Sequence, residues 1–177
     1  MQSGLGSSKF TKKYIMKIIF QDIDGPLIPM RMYYRNHTRP HNGQSFIYDP
    51  VAVDMLRVIC ERTGAKVVFN TMHNENPADV MMYQAQVNGM AGIMYEPDPI
   101  TSFADLQIGR KFAIGHWLFQ HPEVTEWIVI DDADIDTDRL VQVDFQTGMN
   151  INTFIKACEL FGQKTEPFAA INGVLSH

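Results

Sequence analysis

Long apolar runs, cysteines and surplus basic residues are all scarce in this sequence. No apolar run approaches the roughly 20 residues that a membrane helix requires, so we expect no membrane insertion. The two cysteines, Cys60 and Cys158, lack metal-ligand spacing and are interpreted as buried thiols, which favours a reducing, cytoplasmic location over a disulfide. The formal net charge of -5 argues against a protein whose main role is to grip a nucleic-acid backbone.

The remaining composition is that of a globular protein, with 177 residues of which 45% are hydrophobic. This length suits one domain with a real core, which we assign to residues 14–177. Residues 1–13 are rich in glycine and serine. They lack the apolar core of a signal peptide and are predicted to form a flexible N-terminal segment.

Apolar strands alternate with helical patterns along the chain. The predicted strands are 15–20, 65–70, 92–97, 126–130 and 140–144, and the predicted helices are 50–63, 77–87, 109–120 and 151–162. Residues 28–47 have no steady period and are predicted to be a loop or flap with room for one short hairpin. The alternation predicts an α/β fold, a Rossmann-like three-layer sandwich with helices on both faces of a mostly parallel sheet. Ligands bind such sheets at the carboxyl ends of the strands.

Acidic and hydroxyl side chains follow three of the predicted strands. Asp22 and Asp24 follow the first strand, Thr71 follows the second, and Asp131 and Asp132 follow the fourth. Since parallel strands all point one way, we expect these residues to meet at one edge of the sheet. Clustered carboxylates repel one another unless a hard cation such as Mg2+ lies among them. A simple turn at the Asp-x-Asp-Gly stretch and strand-end capping by Thr71 remain open as structural alternatives.

Three motifs resemble the haloacid dehalogenase (HAD) superfamily of phosphohydrolases. An apolar strand followed by Asp-x-Asp-Gly is matched by FQDIDGPL, a strand ending in threonine by VVFNT, and a strand followed by acids by VIDDADID. The resemblance covers most of residues 14–161 and is especially marked for small HAD domains found near RNA-repair modules. A further family motif, a lysine or arginine near a helix start, is matched by either Arg110 or Lys111.

The resemblance implies a role for each of these residues. Asp22 would attack phosphorus and form an aspartyl-phosphate. Asp24 would give a proton to the leaving group and later take one from water, and its presence implies phosphoryl transfer rather than dehalogenation. Thr71, with Arg110 or Lys111, would hold the phosphoryl oxygens.

A magnesium ion is the implied cofactor. Its ligands would be Asp22, the backbone carbonyl of Asp24 and Asp132, with Asp131 or Asp136 as a further carboxylate. Three histidines have no spacing typical of zinc and are interpreted as surface residues or as supports behind the direct ligands: His73, His116 and His121.

HAD enzymes select substrates largely with cap domains inserted between motifs, and this sequence has no room for one. The intervals from Asp24 to Thr71 and from Thr71 to Arg110 are each below about 50 residues, the lower end of domain sizes. A site without a cap is open to solvent. We therefore expect a substrate that carries its phosphate on a macromolecule.

The predicted flap carries basic and aromatic side chains without an acid. Arginines steer phosphate, and tyrosines stack on an aromatic leaving group. We predict substrate binding by four residues of the flap, in a stretch that also holds His37 and Arg39: Arg31, Tyr33, Tyr34 and Arg35. A solvated loop with its aromatic rings packed beneath is the structural alternative.

Together these features predict a capless, Mg2+-dependent phosphatase that acts through an aspartyl-phosphate. The substrate ranked first is a phosphoprotein, with phosphotyrosine included, because an open, flap-bearing plan would suit the bacterial effector phosphatases that act in host cells. A phosphatase acting on 5′ or 3′ nucleic-acid ends is ranked second because of the negative net charge. A non-catalytic, receiver-like switch that keeps its aspartyl-phosphate is the alternative from another class.

Overall fold

A parallel sheet organises the part of the chain that the computed structural model describes, residues 15–37 and 46–164, with the side chains of residues 36 and 37 excepted. Its strands are β1 (Met16–Gln21), β2 (Lys66–Phe69), β3 (Val124–Asp131) and β4 (Leu140–Gln142), in the spatial order β2-β1-β3-β4. The α-helices of this part are α1 (Met30–His37), α2 (Pro50–Thr63), α3 (Ala78–Val87), α4 (Phe103–Ile108), α5 (Arg110–Gln120) and α6 (Ile151–Leu160). The proposed N-terminal segment 1–13 lies outside the described residues.

Both faces of the sheet are buried against helices. On one face Ile19, Val67 and Ile128 pack in a core shared with α2, α3 and α6. On the other face Phe20 meets Trp117 of α5 edge to face, with ring centroids 5.4 Å apart. The predicted α/β three-layer sandwich is therefore confirmed, with all pairings in the sheet parallel.

The register of β1 with its neighbours sets the position of the strand ends. Gln21 pairs with Phe69 on one side and with Ile130 on the other. The ladder continues one step further, because the Asp22 amide donates to the Ile130 carbonyl at 3.0 Å. The residues that follow β1, β2 and β3 therefore leave the sheet at one level.

Helix α2 begins and ends at the residues that the sequence indicates. The Asp49 side chain accepts a hydrogen bond from the Val51 amide at 3.2 Å, Pro50 occupies the first turn, and Gly64 ends the helix with a φ of 73°. Only glycine adopts such a positive φ readily, so the helix stops there. The prediction of a helix over 50–63 is confirmed.

Two expectations about secondary structure were wrong, and one helix was not predicted. Within the predicted loop or flap, Met30–His37 forms helix α1, since this stretch lacks glycine and proline and Met32 is buried against the core. Residues 38–45 of the flap lie outside the described residues. Residues 92–97 form no strand beyond a single bridge of Met94 to Val67. A 3₁₀ turn at Ala91–Ile93 precedes this bridge, and Pro97 and Pro99 follow it. Proline has no amide hydrogen to donate to a neighbouring strand, so the strand cannot be extended. Helix α4 was not predicted at all, since its six residues are too few to show a period.

No separate cap is present in the described residues. Helices α1 and α2 and strand β2 occupy the interval between Asp24 and Thr71, and α3 and α4 occupy the interval between Thr71 and Arg110. Residues of α1, α2 and α3 contribute to the core on one face of the sheet, and α4 contacts α5. In the same part of the chain, no helix is long and apolar enough to span a bilayer.

A capping box begins α6 and allows a test of the fold. The Asn150 side chain accepts from the Asn152 and Thr153 amides at 2.9 and 3.3 Å, and the Thr153 hydroxyl accepts from the Asn150 amide. We expect Asn150→Ala to lower the free energy of unfolding by about 1 kcal/mol, measured by urea denaturation. Asn152→Ala, at an exposed helical position, is the matched control and should leave it unchanged or slightly higher. Equal losses in the two variants would contradict the capping role.

Candidate active site

The loop after β1 brings two acids to the edge of the sheet. Asp22 is 1% exposed, and its Oδ1 accepts from the Ile23 amide at 2.8 Å. The loop closes on itself through the Gly25 amide, which donates to the Ile28 carbonyl at 3.1 Å. Gly25 has a φ of 84°, and a Cβ there would lie 2.9 Å from the Cβ of Asp132. Glycine at this position therefore lets the loops after β1 and β3 approach closely.

Three carboxylates meet where these loops touch. One oxygen of each of Asp22, Asp131 and Asp132 lies within 4.8 Å of the others. Burial raises the pKa of Asp22, and burial together with the nearby charge of Asp22 raises the pKa of Asp131 to about 7. Such a cluster is unfavourable without a cation among its members.

Arg110, the first residue of α5, supplies positive charge to this cluster. Its Nη1 lies 2.7 Å from Asp131 Oδ2 and 3.1 Å from Asp22 Oδ2, and it donates to the Asn70 carbonyl at 2.9 Å. Lys111 instead pairs with Asp136 at 2.7 Å, where both side chains are mostly exposed. Of the two cations predicted to hold the phosphoryl group, the structure therefore brings only Arg110 to the acids. Asp136, proposed as a metal ligand, lies outside the cluster.

The donor set of this cluster fits a hard divalent cation. Asp22 Oδ2 is buried without a hydrogen bond, since the nearby Arg110 makes an ion pair but lacks hydrogen-bond geometry. The neighbouring donors are carboxylate oxygens, the ligand type that Mg2+ and Ca2+ prefer. The cluster thus offers a buried carboxylate oxygen that faces Arg110 and is open to a cation.

Asp24 lies apart from the cluster and has its own partners. Tyr33 donates its hydroxyl to Asp24 Oδ1 at 2.6 Å, and His73 Nε2 lies 3.1 Å from Asp24 Oδ2. Burial raises the pKa of Asp24, but the hydrogen bonds from His73 and Tyr33 outweigh burial and leave this pKa below its usual value. The same contact with Asp24 raises the pKa of His73. The side chain of Asp24 is therefore committed to these two donors, and only its backbone carbonyl remains for the proposed metal role.

Thr71 is fully buried at the end of β2. Its hydroxyl accepts from the His73 amide at 3.5 Å and so begins the 3₁₀ turn Met72–Glu75. Interaction of the Thr71 hydroxyl with Asp22 also opposes the rise in the pKa of that acid. Thr71 therefore has the capping role at the strand end that the sequence left open, and its hydroxyl also lies beside Asp22.

The flap residues predicted to bind substrate separate into different environments. Arg31 forms an ion pair with Asp49 and donates to the Thr147 carbonyl at 2.6 Å, which ties α1 to neighbouring segments. Tyr33 contacts Asp24, whereas Tyr34 is 69% exposed and Arg35 is exposed. The structure describes neither Arg39 nor the side chain of His37.

His73 is the site residue whose position sequence reasoning missed. It was interpreted as a surface residue or a support, without a partner. Its position two residues after Thr71 could have indicated a place near the site, because the residues that directly follow a strand lie close to that edge of the sheet. Its contact with Asp24, 49 positions away, depends on the tertiary fold.

A parallel α/β sheet with clustered acids and one arginine at its carboxyl edge is the arrangement that the resemblance to HAD domains predicts. A family model described as the HAD domain in Swiss Army Knife RNA repair proteins matches residues 18–154. The chain belongs to this family, which confirms the resemblance to small HAD domains near RNA-repair modules. No curated protein and no solved structure matches the chain.

The carboxylate cluster predicts a metal-binding phenotype. We expect Asp132→Ala to weaken Mg2+ binding by about tenfold or more in isothermal titration calorimetry, because one of three clustered carboxylates is removed. Asp134→Ala removes an exposed acid from the same loop and is the matched control. Equal Mg2+ affinity in the two variants would move the metal assignment away from Asp132.

Proposed function

We propose that this domain hydrolyses phosphomonoesters with Asp22 as the nucleophile. The observation that carries the proposal is the buried Oδ2 of Asp22, which forms an ion pair with Arg110 at the carboxyl edge of the sheet. A carboxylate nucleophile must be ionised, and the charge of Arg110 favours the ionised form of Asp22. Arg110 and Thr71 lie close enough to Asp22 to stabilise negative charge on the phosphoryl oxygens.

The reaction would take place in two steps that both use Asp24. In the first step an Asp22 oxygen bonds to phosphorus, the ester P–O bond breaks, and the departing oxygen takes a proton from Asp24. In the second step water attacks the aspartyl-phosphate, Asp24 takes a proton from that water, and the bond from phosphorus to Asp22 breaks. A bound phosphoryl group adds negative charge beside Asp24, and such charge raises the pKa of the carboxyl toward the form that the first step needs.

Mg2+ is the cofactor that we propose for the cluster. Asp22, Asp131 and Asp132 would hold it with their side chains, together with the backbone carbonyl of Asp24. When bound, it would neutralise charge on the carboxylates and on the phosphoryl oxygens. Arg110 would share the second task from the start of α5.

We further propose a phosphate at a nucleic-acid end as the substrate. The printed description of the family, a domain of RNA repair proteins, supports this class. The absence of a separate cap domain among the described residues also supports a large substrate. The phosphoprotein that the sequence ranked first has no support in the family description, and the net charge of -5 is a weaker argument than the family.

The nucleophile can be tested by an isosteric change. Asp22→Asn keeps the size of the side chain but removes its charge, so we expect turnover of para-nitrophenyl phosphate with Mg2+ to fall about a thousandfold or more. Asp134→Asn, in an exposed loop residue, is the matched control. A residual rate above about a tenth of the wild type would assign the attack to another group.

The substrate class can be tested with a panel of phosphate esters. We expect kcat/KM to be highest for oligonucleotides with a 5′- or 3′-terminal phosphate and lower for phosphotyrosine and phosphoserine peptides. A preference for a peptide would restore the phosphoprotein assignment. A single turnover that leaves a stable aspartyl-phosphate would instead indicate the receiver-like switch.

A further inference from the structure

The carboxylate of Asp24 is held at both of its oxygens. Tyr33 donates to Oδ1 at 2.6 Å from helix α1, and His73 Nε2 meets Oδ2 at 3.1 Å from the 3₁₀ turn Met72–Glu75. These donors lie on separate elements, and each contacts a different oxygen of the carboxylate. Two such contacts restrict rotation of the carboxylate, because both oxygens must be satisfied together.

Tyr33 is itself held in place on its own side. Its ring packs against Phe145, with ring centroids 5.8 Å apart. Helix α1 is anchored two residues earlier, where Arg31 pairs with Asp49 and donates to the Thr147 carbonyl. These contacts of the ring and of α1 therefore restrict the position of the Tyr33 hydroxyl.

His73 is held in place by contacts of its own. Its amide donates to the Thr71 hydroxyl, and its ring lies 5.6 Å from the ring of Phe46. The next residue, Asn74, is buried and donates to the carbonyls of Phe69 and Thr101 at 2.9 and 3.0 Å. The turn that carries the imidazole is thus fastened to the end of β2.

We infer that Tyr33 and His73 are positioning residues that aim the Asp24 carboxyl at the leaving-group oxygen, and so equip the site for esters whose leaving group needs a proton. The inference rests on the proposed function. An alkoxide, such as the sugar oxygen of a nucleotide, is a poor leaving group and must be protonated as the P–O bond breaks. A nitrophenolate leaves without a proton, so its departure does not depend on where Asp24 points. Misplacement of a proton donor by about 1 Å costs up to roughly a hundredfold in rate.

The test compares alkyl and aryl phosphates on matched variants. Tyr33→Phe removes only the hydroxyl, His73→Ala removes the imidazole, and His73→Gln keeps a donor near the position of Nε2. The controls are Tyr83→Phe, an exposed tyrosine on α3, and His116→Gln, a histidine that pairs with Asp105 elsewhere. The substrates are para-nitrophenyl phosphate and β-glycerophosphate, both used with Mg2+. Because kcat/KM covers only the steps up to departure of the leaving group, hydrolysis of the aspartyl-phosphate does not enter the comparison.

We expect Tyr33→Phe and His73→Ala to lower kcat/KM for β-glycerophosphate by about ten- to a hundredfold and to change that for para-nitrophenyl phosphate by less than about threefold. His73→Gln should recover most of the loss, and the controls should match the wild type. Equal losses on the two substrates would overturn the inference, since that pattern belongs to a folding or phosphate-binding role. Unchanged activity on β-glycerophosphate would overturn it as well.

A measurement without turnover separates this inference from the proposed function. In NMR spectra of histidine side chains, Asp24→Asn should shift the Nε2 signal of His73 and leave that of His116 unchanged. An unchanged His73 signal would overturn the inferred contact between His73 and Asp24, even in an active enzyme. Failure of the wild type on every phosphate ester would refute the proposed function, while a shifted His73 signal would still establish the contact.

Discussion

The ion pairs of Arg110 are the interaction on which the site depends. Burial of a carboxylate costs several kcal/mol, and Asp22 and Asp131 are both almost fully buried. One nitrogen of Arg110 lies within 3.1 Å of both acids and also bonds the Asn70 carbonyl. The start of α5 is thereby joined to the ends of β1, β2 and β3. Without this cation the strand ends would repel one another at the point where chemistry requires them to meet.

The acids of the site divide into two environments with opposite effects on their pKa values. Asp22 and Asp131 lie in a buried cluster that raises their pKa values, whereas the hydrogen bonds from His73 and Tyr33 lower that of Asp24. The proposed roles need the reverse order, an ionised Asp22 and a protonated Asp24. A cation in the cluster would lower the pKa values of its acids, and a phosphoryl group beside Asp24 would raise that of Asp24.

Local patterns predicted most of the fold because their signals lie within single segments. The boundaries of α2 are indicated by Asp49, Pro50 and Gly64. The strands of the sheet are indicated by uninterrupted apolar runs. The errors occurred where the signal was weak or non-local. Helix α1 begins in a stretch with mixed composition, and the segment 92–97 has the residues of a strand but lacks the donors to extend one beyond a single bridge.

The sequence by itself determined which residues reach the carboxyl edge of the sheet, because strand direction alone gathers Asp22, Thr71 and Asp131 there. Only the tertiary structure distinguished Arg110 from Lys111, since adjacent helical residues point about 100° apart and only one of them faces the acids. The same holds for Tyr33 and His73. Their approach to Asp24 depends on how α1 and the turn after β2 pack across the edge, and contacts between distant segments leave no periodic trace in a sequence.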